Sequence, residues 1–494
     1  IPMINYDVFN AKLSGLKTLE GFMGHNIKET SVPFNIDRKL TEDELWEEIE
    51  YCTRDVTETM EVFMETIDTF NAFMGVISAF PNQLNINNLS DTSAQLTANV
   101  LECEKHEWDD EFDFFFLPCI ELKKYKEVQD WFAQFIGKKF NSVKERENFY
   151  KSTSLTIDIA GVPHTFGFGG AHGAPDEPVH EEGGLWHVDV NNYYPSLLLA
   201  YQLVTRAATN SNFKIIYDTR KQLKHKQTHA KDKEEAKHYK KAQLPYKLIL
   251  NALSGAMKDP RNKAYDPRNN NIMCINGQLM LLDLIEHLEA IPDFKLIQSN
   301  TDGLIIKIPD TDEAFDMMDD ICYDWECRCS TDLCDIRLET DEIKELYQKD
   351  VNNYLWIDYD GGIERKGAYV KELSRLDYDL PIINKALVDY MVNKTPVEET
   401  IRNCDELIMF QKLVKLSAKY QWVEHNGTRY DLKCYRVFAS KDAKDGRICK
   451  CRMGENPAKF GNTPDSCFIF NDDVNNVPIP DKLNKQWYID MAEE

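Results

Sequence analysis

The sequence predicts a mixed α/β protein. Three observations carry that reading: long helical patterns at 41–73, at 214–247 and from Leu380 onward, short strand-like runs between 155 and 370, and Gly- or Asn-marked turns joining those runs. A chain of 494 residues, 43% of them apolar, is long enough for about three domains and a sizeable core. Its 58 Lys and Arg against 83 Asp and Glu give a net charge of −25. That balance argues against a polybasic nucleic-acid coat, though not against an enzyme with one local basic channel.

No apolar run is long enough to span a bilayer. The longest uncharged stretch, Thr69 to Ser90, becomes Pro- and Asn-rich after Phe80. No signal peptide is recognisable, and the chain opens on Ile1-Pro2 without an initiator Met, so a fragment or a processed product is expected. Thirteen scattered Cys are expected to be reduced thiols in a cytosol.

Taken in order, residues 1 to about 75 read as α/β. An apolar opening precedes a helix from Thr41 to about Phe73, begun by a Thr41/Glu44 capping box. Pro81 to Ser93 reads as a loop, and the acidic, aromatic run Glu102 to Phe116 as a solvated face with aromatic anchors. Leu155 to Val162 alternates like a strand. The following Phe166-Gly-Phe-Gly-Gly-Ala-His-Gly173 is a loop that permits close backbone approach. Leu185 to Val190 is a short strand and Pro195 to Val204 a helical continuation. Residues 214–247 carry eleven Lys/Arg against four Asp/Glu, the one clear basic element. Phe294–Ser299 and Leu304–Ile308 form a hairpin through Asn300-Thr-Asp-Gly303. Tyr354–Asp358 and Glu364–Val370 form another around Asp360-Gly-Gly362. After Lys441 the helical pattern breaks into a Cys- and Gly-punctuated tail.

Two aspartates stand at strand ends. Asp189 closes the strand in Trp186-His-Val-Asp-Val-Asn-Asn-Tyr-Tyr-Pro-Ser196, and Asp302 sits at the hairpin tip. Carboxylates so placed can converge on hard cations, which take oxygen ligands. Two such ions about 4 Å apart clamp the attacking and leaving oxygens of an in-line phosphoryl displacement. Between them in sequence, Lys247, Asn251 and Ser254 share one helix face beside Gly255. A Lys on that face suits a triphosphate.

Asp-x-x-Asn-Tyr-Tyr-Pro-Ser, Lys-x-x-x-Asn-x-x-x-Gly, Asn-Thr-Asp-Gly and Lys366-Gly-Ala-Tyr369, in this order, resemble the motifs of family B DNA polymerases, nearest to the phage and mobile-element branch. The resemblance implies a right-hand fold: a palm at 153–212 and 266–375, fingers at 213–265, and a thumb at 376–494. A connecting region at 76–152 and the C-terminal part of an RNase H-like 3′–5′ exonuclease domain at 1–75 would precede it. It implies that Asp189 and Asp302, with the Val190 carbonyl, hold two Mg²⁺, for which Mn²⁺ substitutes. Tyr194 would exclude a ribose 2′-OH. Lys247, Arg220 and Lys224 would bind the triphosphate, and Asn251 and Gly255 would pack beneath the nascent base pair. Phe168, Gly169 and Gly170 would contact template, and Lys366 and Tyr369 the primer end. Implied partners are primer–template DNA, dNTPs, a helicase or processivity factor, and a separate N-terminal exonuclease polypeptide, in the cytoplasm of a bacterial host.

The departures are specific. The usual Asp-Thr-Asp is Asn300-Thr-Asp302, and Ser254 replaces an aromatic residue before Gly255. Tyr51 and Asp55 match the third exonuclease motif, Tyr-x-x-x-Asp, but no upstream acidic motif completes it; Asn5-Tyr-Asp7 reads as a late strand. The rival classes are a catalytically weak nucleic-acid-binding subunit and a 3′–5′ exonuclease component. Cys322, Cys327, Cys329 and Cys334 lack the spacing of a zinc knuckle. Gly137-Lys138 lacks the rest of a phosphate-binding loop. The short separations from Asp189 to Arg220 and from Gly255 to Asp302 leave little room for protein-priming insertions, so hydroxyl-primed extension is expected.

Overall fold

The computed structural model describes residues 6–33 and 35–494. The chain divides into two compact units, one of Tyr6 with Asp68–Glu364, the other of Asp7–Ile67 with Arg365–Glu494. These limits cut across the boundaries at 75 and 375 read from the sequence.

The first unit is built on an antiparallel sheet. Its strands are β1 (Leu155–Ile159), β2 (Val162–Phe166), β3 (His172–Gly173), β4 (Val179–Val190), β5 (Lys295–Ser299), β6 (Gly303–Lys307), β7 (Leu338–Asp350) and β8 (Asn353–Asp358). A ninth, β9 (Ile363–Lys366), carries the chain out of the unit. The order is β1-β2-β3-β5-β6-β4-β7-β8-β9, so β4 runs between β6 and β7. The single strand expected at 155–162 is a hairpin. Ala160 and Gly161, at φ +51° and +83°, turn β1 directly onto β2, and continuous alternation hid the break.

The Pro267–Leu288 helix is buried on almost every side. Its polar side chains satisfy backbone that has no ladder of its own. Asn276 Oδ1 accepts from the Leu117 amide at 2.8 Å, and its Nδ2 donates to the Phe115 carbonyl at 2.9 Å. Asp283 accepts from the Glu121 amide at 2.7 Å. Gln278 donates to the Gly167 carbonyl at 2.8 Å and accepts from its amide at 3.2 Å. One buried helix therefore fixes both the irregular 102–124 segment and the Gly-rich loop. Phe112 and Phe114 are buried while Glu104, Glu107, Asp109 and Asp113 are exposed, so that acidic run is a solvated face held by aromatic anchors, as its composition suggests.

In the second unit the N-terminal segment is helical, correcting the α/β reading. Among its described residues from 7 to 67 there are helices and a 3-10 turn but no strand. The apolar opening forms a turn, Val8–Asn10, capped by Asp7, and the helix Leu16–Phe22. Leu19, Met23 and Val62 bury against Leu376. The Glu42–Glu65 helix starts with the expected Thr41/Glu44 capping box. Its charged side faces its own unit, through Asp55 to Lys17 at 2.8 Å, Glu58 to His25 at 2.7 Å and Glu61 to Arg375 at 2.8 Å. Its outer side is apolar: Leu45, Trp46, Ile49, Val56, Met60 and Met64 are all exposed.

The C-terminal region is not predominantly helical. Beside helices Pro381–Asn393, Val397–Asn403 and Lys485–Glu493 it holds strands β10 (Lys412–Lys415), β11 (Trp422–His425), β12 (Thr428–Tyr430), β13 (Cys434–Ala439), β14 (Ile448–Cys451), β15 (Ala458–Lys459) and β16 (Cys467–Ile469). They form two sheets, β10-β13-β16 and β12-β11-β14-β15. Asn426-Gly427, both at positive φ, makes the tight β11–β12 turn and is the local signal that reveals a hairpin there. Fully buried Arg436 donates to Gln411 Oε1 at 2.8 Å and to the carbonyls of Gly21, His25 and Asp472 at 2.7–3.0 Å, tying the N-terminal segment to β13.

Candidate active site

Asp189 sits near the end of β4, with Gly303 of β6 opposite on one side and Glu339 of β7 opposite on the other. Directly opposed residues of an antiparallel pair project from the same face of the sheet, with Cβ atoms about 5 Å apart. The Val190 amide donates to the Asp302 carbonyl at 2.8 Å, which holds the hairpin tip beside the β4 terminus. Asn300 shapes that tip. Its Oδ1 accepts from the amides of Asp302 at 3.0 Å and Gly303 at 2.9 Å. An amide oxygen performs this turn function as well as a carboxylate does.

These carboxylates line a pocket of about 370 Å³, together with Val190, Tyr194, Arg220, Lys224, Lys247 and Asn251. Burial, then the charges of Asp302 and Glu339, push the Asp189 carboxyl up to about 7. Burial disfavours the charged form, and the neighbouring carboxylates add to that effect. The same pocket is also lined by cations. Arg220 and Lys224 lie one turn apart on the Asn212–Thr228 helix, and Lys247 on the Leu244–Lys258 helix. Partial burial, and then Arg220 and Lys224, hold the Lys247 ammonium below its usual range. Lys224 Nζ pairs with Glu339 at 2.7 Å and donates to Asn191 Oδ1 at 3.2 Å. Arg220 donates to Asn192 Oδ1, leaving its Nε buried without a partner among the described residues.

Tyr193 and Tyr194 divide the work of one stacked pair. Tyr193 is buried, its hydroxyl donating to the Gly277 carbonyl at 2.6 Å, while Tyr194 is half-buried and donates to the Gly169 carbonyl at 3.3 Å. The Gly-rich loop thus touches the pocket through its backbone. A Cβ at Gly170 would lie 2.8 Å from Thr301 Oγ1, so loop and hairpin tip meet closely. Phe168 does not present its ring to a template. It is buried among Phe112, Trp131, Phe132, Phe135 and Phe149, so its ring offers the pocket no free face. Gly255 has open space where a side chain would be.

The first unit therefore brings together Asp189, Val190, Tyr194, Arg220, Lys224, Lys247, Asn251 and Asp302. Lys366 and Tyr369 belong to the second unit, as do Tyr51 and Asp55. The Asp55 carboxylate is partly exposed, and its Oδ1 is already paired. Lys17 holds it, and the same ammonium pairs with buried Glu20 at 3.0 Å and lies 4.6 Å from the centre of the Tyr51 ring. Sequence reasoning missed Glu339, because β7 reads as a charged run and only its pairing with β4 brings it to the site.

No protein-family model and no curated protein matches this chain. Among solved structures it is similar to the family B DNA polymerase of the hyperthermophilic archaeon Pyrobaculum calidifontis, at 12% identity and a TM-score of 0.43. The alignment covers 98% of this chain and 62% of that one. No described helix is long and apolar enough to cross a membrane.

Proposed function

We propose that the chain is a DNA-directed DNA polymerase, adding deoxynucleotides to a primer 3′-hydroxyl in phage or mobile-element replication. The observation that carries this reading is the pocket itself, with carboxylates Asp189, Asp302 and Glu339 facing the cations of Arg220, Lys224 and Lys247. The donor set fits Mg²⁺, a hard ion that takes carboxylate and carbonyl oxygens, here from Asp189, Asp302 and Val190. Two such ions, when bound, would activate the primer hydroxyl and offset charge on the leaving pyrophosphate. Lys247, Arg220 and Lys224 would orient the triphosphate, and catalysis would be positioning plus electrostatics. The Tyr194 ring would stand where a 2′-OH must pass.

In this reading 153–212 and 266–375 form the palm, 213–265 the fingers and 376–494 the thumb, after a connecting region at 76–152. Residues 1–75 are the C-terminal part of an exonuclease domain, of whose site this stretch carries Tyr51 and Asp55. With Asp55 already paired to Lys17, the exonuclease alternative has less support than polymerisation. The test is extension of a labelled primer in Mg²⁺ with single dNTPs. Incorporation dictated by the template base supports the reading, and template-independent addition or none contradicts it.

A further inference from the structure

At the end of β4 away from Asp189, four side chains form a two-by-two array across β4 and β7. His180 stands directly opposite Tyr347, and Glu182 directly opposite Glu345. Opposed residues share a face of the sheet, and so do residues two apart on one strand. His180 Nε2 lies 2.9 Å from Glu345 Oε1 and 3.8 Å from Glu182 Oε1. One donor atom from each of the three lies within 4.8 Å of the others. Ligand atoms about 2.1 Å from a tetrahedral Zn²⁺ stand about 3.4 Å apart, a value these two contacts bracket. Tyr347 steadies two of the three groups. Its ring stacks on the His180 imidazole, with centroids 4.2 Å apart and planes 13° from parallel, and its hydroxyl donates to Glu345 Oε1. The Glu345 side chain is only 8% exposed, whereas His180 and Glu182 open to solvent.

We propose that His180, Glu182 and Glu345 form a divalent-metal site of the Zn²⁺ class, separate from the Asp189 pocket. One imidazole nitrogen with two carboxylate oxygens is a donor set that Zn²⁺ takes, whereas Mg²⁺ prefers oxygen alone. Two carboxylates directly opposite on neighbouring strands repel. A cation between Glu182 and Glu345 turns that repulsion into shared coordination, while a plain His180–Glu345 ion pair needs only one of the two. The Tyr347 contacts are of the kind that usually orient ligating side chains. His180 lies nine residues before Asp189 on β4, roughly 30 Å along an extended strand. The ion therefore takes no part in reaction at the pocket. It pins β4 to β7, the strands that carry Asp189 and Glu339, and the solvent side leaves a fourth position for water. The site owes nothing to the polymerase reading.

The test is calorimetric titration of the full chain with Zn²⁺, in excess Mg²⁺ to fill sites made of oxygen alone. Wild type, His180→Phe, Glu182→Gln and Asp302→Asn are compared, each checked for an unchanged melting temperature without Zn²⁺. His180→Phe keeps a ring over Tyr347 and removes only the nitrogen, and Glu182 is exposed, so both changes spare the fold. Wild type and Asp302→Asn should bind one Zn²⁺ that His180→Phe binds at least about tenfold more weakly. Glu182→Gln should bind it several-fold more weakly. Zn²⁺ should raise the melting temperature of wild type and not that of His180→Phe. Equal Zn²⁺ affinity in wild type and His180→Phe overturns the proposal, whichever thiol or carboxylate then holds the ion. A loss confined to Asp302→Asn overturns it as well, by placing the ion in the Asp189 pocket. Full affinity in Glu182→Gln overturns the three-ligand assignment.

Discussion

Gly303 faces Asp189 across β6 and β4, and a Cβ at position 303 would come within 2.9 Å of Asp189 Oδ1 and 3.0 Å of the Val188 carbonyl. Gly303 does not adopt positive φ, so its lack of a side chain serves the neighbouring carboxylate and not the turn. Gly303→Ala should displace Asp189 while leaving the hairpin folded. Since displacing a reacting group by an ångström costs on the order of a hundredfold, extension should fall by roughly tenfold to a hundredfold. Steady-state primer extension, with circular dichroism as the control for folding, measures this.

The raised Asp189 carboxyl makes stability depend on pH. Its folded value of about 7 lies above the ordinary 3.8, so between these pH values the native state binds the proton that the unfolded state has lost. Stability from this group is fully present below about pH 4 and is lost as pH rises towards 7. Asp189→Asn should therefore raise the melting temperature of the metal-free protein at pH 8 by a few degrees and leave it unchanged near pH 4. Added Mg²⁺ should stabilise the wild type at pH 8 and not the variant. Calorimetric melting at the two pH values, with and without Mg²⁺, decides it.

The two tyrosines should separate cleanly. Tyr194→Val should raise ribonucleotide incorporation with little loss of stability, because Tyr194 is the half-buried, pocket-lining ring. Tyr193→Phe should leave sugar discrimination unchanged and cost about 1 kcal/mol, the usual value of one buried hydrogen bond, here to the Gly277 carbonyl. Competition between rNTP and dNTP, with urea unfolding of both variants, checks the pair.

The outward apolar side of the Glu42–Glu65 helix should make the isolated chain self-associate. Ile49→Glu with Met60→Glu should lower the apparent mass at tens of micromolar without lowering the melting temperature, because both side chains are about half exposed, at 45% and 55%. Light scattering on eluted fractions gives the answer. An unchanged mass would show that the stripe is inert.

What could be read from the sequence follows the range of the forces involved. The Asn300–Gly303 turn, the Thr41 capping box and the basic 212–242 helices announce themselves through neighbouring residues, and each is where local chemistry puts it. The convergence of Asp189 with Asp302 was legible only through motif order, since the hydrogen bond from Val190 to Asp302 links residues far apart in sequence. Glu339 was not legible. β7 runs Leu-Glu-Thr-Asp-Glu-Ile-Lys-Glu, poor in β-branched residues, and becomes a strand because β4 and β8 template it. The small C-terminal sheets were missed for the same reason, as was the pairing of the N-terminal segment with residues 365–494, secured by the Arg436 side chain.

On the polymerase reading, Asp189 and Asp302 serve chemistry and not DNA binding. The most direct measurement is primer extension in Mg²⁺ by wild type, Asp189→Ala and Asp302→Ala, with primer–template affinity measured in the same buffer. Extension should fall by roughly a thousandfold or more in both variants, while DNA affinity stays within a few-fold of wild type. Turnover near the wild-type rate in either variant, or loss of DNA binding equal to the loss of extension, would contradict it.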